Sequence, residues 1–274
     1  YRMAMMPASG AGHRNEWRSI IAAAGRKDDF DASYDATNQR MVCDYLIFDE
    51  DNPSSISNCV RTARENARAI RTALTTEMWV ALNETWIELR DMSPAQMAVG
   101  GLPTFLDWVK GRTAQFRGAT DSSMLRNDGY DFLRIGSFVE RADNTARLLD
   151  VKYYVLLPES ESVGGGIDNY QWTTVLRALS SHRAFHHIYG SDYTPWSIAD
   201  FLILNRQCPR SLLYCHSQLG EHLTQLSRRY GTRSQSLSRT NILIARLADS
   251  TADDIFQVGL HEFLTDFIRQ NSEL

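Results

Sequence analysis

Apolar residues recur at intervals of three and four positions along residues 125–156. This spacing places them on one side of a long α-helix, because a helix completes a turn every 3.6 residues. We expect the helix to end near Pro158, since proline clashes with the preceding helical turn. The apolar stripe consists of Leu125, Phe132, Ile135, Val139, Ala142, Ala146, Leu149, Tyr153 and Leu156.

Most of the remaining chain shows the same helical period. Residues 56–74 and 79–89 are predicted helices, the first preceded by cap residues Asn52–Ser55 and the second stopped by Ser93-Pro94. Residues 100–103 predict a turn, and residues 162–166, with three glycines, predict a linker. Further helical patterns cover 105–116, 172–189, 198–204, 210–230, 237–248 and 253–268. No segment alternates as a β-strand does, so we predict an all-α, multi-helix bundle.

An internal repeat is the second strong pattern. The segment around Trp17 resembles that around Trp172, 155 positions later, and Asp44–Phe48 resembles Asp200–Leu204 at an offset of 156. The same offset relates Pro53 to Pro209, Ile56 to Leu212, and Cys59 to Cys215. The ordered matches predict a single domain, 1–274, made of two similar units, about 1–158 and 159–274.

The repeat also predicts a helix outside the given sequence. Tyr1–Pro7 resembles Lys152–Pro158, which closes the long helix. The first unit is therefore expected to have its own long helix immediately before Tyr1.

The net charge and the cysteine spacing argue against binding of nucleic acid, anionic membranes or zinc. The net charge of −4 gives no global basic field for nucleic acid or an anionic membrane. No apolar run reaches the length that a membrane-spanning helix needs. The four cysteines show neither a CxxC pair nor zinc-ligand spacing. We expect a cytoplasmic protein with reduced thiols, no cofactor and no metal.

Charged residues lie beside the apolar stripe of the long helix. Glu140 and Arg141 follow a stripe position, and Asp143 and Arg147 have the spacing of an i, i+4 ion pair. The predicted strip comprises Arg126, Arg134, Glu140, Arg141 and Arg147. Ion pairs between helices are one explanation, an anion site for a carboxylate, phosphate or acidic peptide is another, and a solvated face is the third.

A second arginine strip follows Pro53. Arg61, Arg64, Arg68 and Arg71 are spaced 3, 4 and 3, with Glu65 beside them. If both strips faced one cleft, the surplus of guanidinium groups would demand external anions. The candidates for internal compensation are Glu77, Glu84, Glu88 and Asp131.

The histidines and serines show no established catalytic motif. His182, His186 and His187 lack the HExxH pattern, so a surface or interface role is expected. His261 is interpreted as a packing or network residue, with acid–base work as the alternative. No G-x-S-x-G elbow is present.

The string Phe132–Asp150, with Glu140-Arg141 at its centre, resembles the bacterial alpha-E family, named for an α-helical domain with a Glu-Arg motif. The likeness extends over nearly the whole chain. It includes Asp51–Ser55, Arg61–Arg68, Trp86, Met124–Asn127, Trp196, Pro209–Leu212 and Leu260–Leu264. The resemblance implies that Glu140 and Arg141 are motif residues and that another Glu-Arg helix precedes Tyr1.

The resemblance also implies a functional context. Members of this uncharacterised family are often encoded beside ATP-grasp ligase-like and transglutaminase-like proteins. The leading hypothesis is a non-catalytic partner of such enzymes that holds an anionic peptide or small ligand. The alternatives are an enzyme that uses Glu140 as an acid–base group with neighbouring arginines, and a purely structural oligomer.

Overall fold

The computed structural model describes residues 14–95, 100–155 and 166–274, with side chains for 17–95, 100–150 and 169–274. These residues form helices and no β-strand, which confirms the all-α prediction. Parts of the sequence predictions lie outside the described residues. These are the Tyr1–Pro7 match, the side chain of Tyr153, Leu156, Pro158 and linker residues 162–165.

The chain divides into two compact units. The first is Lys27–Arg126, and the second combines residues 14–26 with Asn127–Leu274. The predicted repeat units, 1–158 and 159–274, stay a prediction. The described helices of the first unit are α2 (Lys27–Ser33), α3 (Gln39–Cys43), α4 (Ile56–Ala69), α5 (Thr76–Arg90) and α6 (Gly101–Ser123), with a π-helical turn at Asp44–Phe48 and a 3-10 turn at Arg71–Ala73.

The second unit is built around a 28-residue helix, α7, which packs against α11 and α14. Its described elements are α1 (Arg14–Ala23), α7 (Asp128–Val155), α8 (Gly166–Ala178), α9 (His182–Tyr189), α10 (Pro195–Ala199), a π-helical turn (Asp200–Leu204), α11 (Leu212–Tyr230), α12 (Gln235–Asp249), α13 (Ala252–Val258) and α14 (Leu260–Ser272).

Local sequence explains where several helices begin. The Ser55 hydroxyl accepts a hydrogen bond from the backbone N–H of Asn58, which caps α4 as predicted. The Ser211 hydroxyl caps α11 in the same way, through Tyr214 N–H. Asn127 Oδ1 accepts from Tyr130 N–H at 3.2 Å, so α7 begins after Arg126.

Each unit contains three aromatic rings in the same arrangement. In the first unit, Phe30 stacks on Tyr34 with ring centroids 4.9 Å apart, and Tyr45 lies edge-on to Phe30 at 5.3 Å. In the second unit, Phe185 stacks on Tyr189 at 5.0 Å, and Phe201 lies edge-on to Phe185 at 5.4 Å. Tyr34 donates a hydrogen bond to Asp49, and Tyr189 donates one to Asp200. Burial is the main cause that raises the pKa of each tyrosine.

The apolar stripe of α7 is only partly as predicted. Ala142, Ala146 and Leu149 are buried in the core, together with Phe138, which the prediction had omitted. The prediction that Leu125 and Phe132 belong to the packed stripe was wrong, because their side chains are 76% and 57% exposed. Since the cap at Asn127 starts the helix after Leu125, that residue cannot continue the stripe.

Three predicted element boundaries were also wrong. The helix predicted over 172–189 is interrupted at Ser180, whose φ is +56°, and the one over 253–268 at Gly259, whose φ is +101°. A positive φ ends a right-handed helix. Residues 101–103, predicted as a turn, form the first turn of α6 after Gly100, which has a φ of +71°.

Candidate functional site

Glu140 and Arg141 are adjacent on α7 but differ in exposure. Glu140 is exposed, whereas Arg141 is half-buried beside the buried Ala142. The Glu140 carboxylate accepts a hydrogen bond from the Asn144 side chain at 2.9 Å, one helical turn away. These contacts describe a solvated carboxylate on a helix surface. An acid–base catalyst is usually buried in a cleft beside the reacting atoms, whereas the Glu140 carboxylate is exposed to solvent.

Two arginines of α7 lie against one phenyl ring. The Cζ atoms of Arg134 and Arg141 are 4.8 and 5.1 Å from the centroid of Phe138, within the range of a cation–π contact. Arg141 also donates to the backbone carbonyl of Pro209 at 3.3 Å. The motif arginine therefore ties α7 to the segment before α11.

Arg147 forms the predicted ion pair. Its Nε donates to Asp143 at 2.6 Å, one turn earlier on α7. The guanidinium also lies against Gly25, just after α1. Arg147 therefore joins α7 to α1 within the second unit.

Arg126 does not share the face of α7. It precedes the helix, belongs to the first unit, and donates to the backbone carbonyls of Thr120, Asp121 and Met124. These carbonyls lie at the C-terminal end of α6, where a cationic side chain is favourable. The predicted strip is therefore corrected to Arg134, Glu140, Arg141 and Arg147.

The arginines of the strip on α4 donate hydrogen bonds to uncharged acceptors. Arg61 donates to Asn58 Oδ1 at 2.7 Å, and Arg64 donates through Nε to Asn83 Oδ1 at 2.8 Å. Arg68 and Glu65 are exposed. None of these contacts offsets the charge of a guanidinium group.

Arg64 and Arg71 share one indole ring. Their Cζ atoms lie 5.8 and 5.3 Å from the centroid of Trp79. Arg71 also donates to the carbonyl of Leu74. Two arginines therefore flank a half-buried tryptophan, and the exposed Arg68 lies one turn after Arg64 on α4. We call these four residues, Arg64, Arg68, Arg71 and Trp79, the Trp79 arginine surface.

Three of the four acidic residues proposed as internal compensation pair with residues outside the two strips. Glu84 and Glu88 both contact Arg112. Asp131 accepts from His222 Nδ1 at 2.9 Å and from Arg229 at 3.0 Å. These pairs link residues 24 to 98 positions apart, so no local spacing could have predicted them.

His261 is a network residue, as predicted. Its Nδ1 lies 2.5 Å from Asp150 Oδ1, which joins α14 to α7.

His182 stacks on Tyr193, and burial is the main cause that lowers its pKa. Burial also raises the pKa of the Cys215 thiol to about 12. Among the described residues, no group of three or more His, Cys, Asp or Glu side chains could hold a metal ion.

His216 was not singled out by the sequence patterns. It is 1% exposed and lies edge-on to Phe267 at 5.0 Å, with the Asn271 side chain beside the ring. Burial lowers its pKa to about 4. Position 216 lies within the apolar period of α11, which is the only sequence signal for its burial.

Comparison with known protein families identifies a match over the full length of the sequence. The whole chain, residues 1–274, matches the model of a family described as a predicted alpha-helical domain with a conserved ER motif. No curated protein and no solved structure matches the chain. None of the described helices is long and apolar enough to cross a bilayer.

Proposed function

This chain belongs to the Alpha-E family, and we propose that it is a cytoplasmic, non-catalytic binding protein. In this proposal it holds an anionic ligand and assists ATP-grasp ligase-like or transglutaminase-like enzymes in the synthesis or modification of a peptide. The enzyme partners follow from the genomic neighbours that the family resemblance implies. The ligand class follows from the arginines of the first unit.

The Trp79 arginine surface is the observation that carries the proposal. Arg64 and Arg71 flank one indole, and their hydrogen bonds go to an amide oxygen and a backbone carbonyl. Arg68 is exposed on the same helix, one turn after Arg64. A guanidinium has five N–H donors, so each has most of its donors available for an outside acceptor. Flat, preorganised guanidinium groups suit carboxylates and phosphates.

A catalytic role for Glu140 has less support than a binding role. Its carboxylate is exposed and accepts from Asn144. Arg134, Arg141 and Arg147 contact Phe138, the Pro209 carbonyl and Asp143, respectively. These contacts favour a packing role for the α7 strip.

The proposed repeat is supported by features that recur 155 or 156 positions apart. These are the aromatic clusters, the π-helical turns at Asp44–Phe48 and Asp200–Leu204, and the serine caps at Ser55 and Ser211. We infer that α4 and α11 are equivalent helices of two copies of one unit. An arginine strip on α4 that α11 lacks then marks a specialisation of the first copy.

The direct test is binding of a defined acidic peptide, such as an oligoglutamate, measured by calorimetry at low and high salt. Replacement Arg68→Gln is expected to weaken binding about threefold to tenfold, the effect of losing roughly 1 kcal/mol from one exposed charge pair. Arg117→Gln is the matched control, because Arg117 is an exposed arginine of α6 in the same unit. Equal affinity of both variants and the unchanged chain would contradict the anion site.

The partner is tested separately. A tagged chain is expected to co-purify with the ATP-grasp ligase-like or transglutaminase-like protein encoded beside its gene. If neither purified protein forms a complex with the chain, the partner assignment is wrong while the anion site is unaffected.

A further inference from the structure

The second unit contains a polar groove between α11 and α12, which pack against each other. Its cavity is about 460 Å³, and small-molecule sites in proteins measure roughly 300–1,000 Å³. We call this cavity the α11–α12 groove. Its lining includes Ser217, Glu221, Thr224, Gln225, Arg228 and Asn241. The groove therefore has the size of a ligand site and a lining dominated by polar side chains.

Small residues of α11 form the floor of the groove. Gly220 is buried, and a Cβ atom there would be 2.9 Å from Ile244 Cδ1 and 3.9 Å from Asn241 Oδ1. The Asn241 amide of α12 therefore lies over the α11 backbone. Ser217 and Thr224, about one turn to either side of Gly220, donate their hydroxyl protons to carbonyls one turn earlier in the helix. Each hydroxyl oxygen keeps its acceptor lone pairs for a ligand.

The groove carries a carboxylate and a guanidinium that are separated along α11. Glu221 and Arg228 are exposed and lie seven residues apart, which corresponds to about 10 Å along the helix axis. The Gln218 side chain donates to Glu221 Oε2 at 3.0 Å, which leaves Oε1 for another donor. Within the described ranges, neither Glu221 nor Arg228 forms an ion pair with another side chain. Both charges are therefore open to a ligand.

The first unit uses the same helix face differently. The α4 positions 156 residues before the small floor residues of α11 carry arginines, namely Arg61, Arg64 and Arg68. Arg64 donates to Asn83 of α5, so a guanidinium lies where Gly220 has no side chain. This comparison depends on the proposed equivalence of α4 and α11. It relates the arginine face of the first copy to the groove of the second.

We propose that the α11–α12 groove binds a short peptide with free termini, about three residues long. Because the two charges have opposite sign, a zwitterion complements both, whereas a simple anion or cation complements one. An extended peptide advances about 3.4 Å per residue, so three residues span about 10 Å, the axial separation of Glu221 and Arg228.

Each polar group of the groove has a counterpart in such a peptide. The Glu221 carboxylate binds the ammonium group, and the Arg228 guanidinium binds the terminal carboxylate, for which its planar fork is suited. Asn241 and Gln225 offer amide donors and acceptors to the peptide groups between the termini. This site is separate from the Trp79 arginine surface and does not depend on it.

Trialanine is the probe, and the full chain is the receptor. Binding is measured by calorimetry and located by NMR chemical-shift changes. We expect saturable 1:1 binding with a Kd below about 1 mM and shift changes centred on α11 and α12. Acetylation of the peptide N-terminus, or amidation of its C-terminus, is expected to weaken binding about threefold to fivefold, the effect of losing one exposed charge pair. Absence of saturable binding overturns the proposal.

Variants assign each peptide terminus to one residue. Glu221→Gln is expected to weaken binding of trialanine about threefold to fivefold and to leave binding of the N-acetylated peptide unchanged. Arg228→Gln is expected to do the same for the free and C-amidated peptides. Arg233→Gln is the matched control, because Arg233 is an exposed arginine of the same unit outside the groove. Equal loss in the control, or losses that add to those of the blocked termini, overturns the assignment.

Two other outcomes also overturn the proposal. If free alanine binds as tightly as trialanine, the two charges do not read the length of a peptide. Shift changes confined to the first unit would mean that the peptide binds the Trp79 arginine surface. The Arg68→Gln variant is expected to bind trialanine like the unchanged chain, so failure of the groove and failure of the anion site are distinguished.

Discussion

The guanidinium of Arg147 lies directly against Gly25. A Cβ atom at position 25 would be 2.5 Å from Arg147 Nη1. Gly25 has a φ of +66° and ends α1 with a Schellman motif, in which Gly25 N–H donates to Ala22 and Arg26 N–H donates to Ile21. Arg147 thus meets the C-terminal end of α1, where a positive charge is favourable.

Replacement Gly25→Ala is expected to destabilise the second unit by about 2 kcal/mol. Roughly 1 kcal/mol comes from the positive φ, and the remainder from displacing Arg147. The measurement is urea unfolding followed by circular dichroism. Gly231→Ala is the matched control, because Gly231 has a φ of +69° and nothing within 4 Å of its Cβ position. Equal losses in both variants would show that the Arg147 contact contributes nothing.

Helical period and cap residues were enough to predict most of the fold. The cap at Ser55 and the apolar spacing of residues 56–69 predicted α4, because both signals are local. Gly259 was missed as a break, since a glycine inside an apolar pattern is compatible with a continuous helix. The exposure of Phe132 depends on which neighbours reach it, and periodicity does not contain that information.

The candidate site was less predictable, for a physical reason. Asp143 and Arg147 are one turn apart, so their ion pair was predictable from spacing. The partners of Asp131 lie 91 and 98 positions away, and the packing of α7 on α11 brings them together. Arginine strips are visible in sequence, but only the fold shows that Arg141 donates to the Pro209 carbonyl and that Arg68 is exposed.

Because His216 is buried, we expect the unfolding free energy to fall in mild acid. Burial lowers its pKa to about 4, whereas the unfolded chain has a value of about 6.5. Between these values only the unfolded state takes up the proton, so stability is lost as the pH falls from about 6.5 towards 4. The loss between pH 7.5 and pH 5 is about 2 kcal/mol for this residue.

The variant His216→Leu is expected to lose this contribution to the pH dependence, measured as urea midpoints at pH 7.5 and pH 5. The apolar side chain suits the site, because Phe267 lies beside the ring. His187→Leu is the control, since His187 is exposed on α9. An unchanged difference between the two pH values in His216→Leu would show that another group is responsible.

The buried Asp131 carboxylate is expected to be a major link between α7 and α11. It is 5% exposed and accepts from both His222 and Arg229. Asp131→Ala leaves both donors without this acceptor, so we expect a loss of about 3 kcal/mol in unfolding free energy. The control Asp91→Ala removes an exposed partner of Arg90 and should cost less than about 0.5 kcal/mol. Losses of similar size in the two variants would contradict the buried link.

The two residues of the Glu-Arg motif are expected to differ in their effect on stability. Glu140 is exposed and bonded to Asn144, so Glu140→Gln should change the unfolding free energy by less than about 0.5 kcal/mol. Arg141 contacts the Phe138 ring and the Pro209 carbonyl, so Arg141→Ala should cost about 1–2 kcal/mol. Both values are measured by urea unfolding.

Glu221→Gln is the control for Glu140→Gln, because Glu221 is an exposed carboxylate that accepts from the side chain of Gln218. A loss above about 2 kcal/mol for Glu140→Gln alone would mean that the motif glutamate supports the fold, and that its place in the motif is structural.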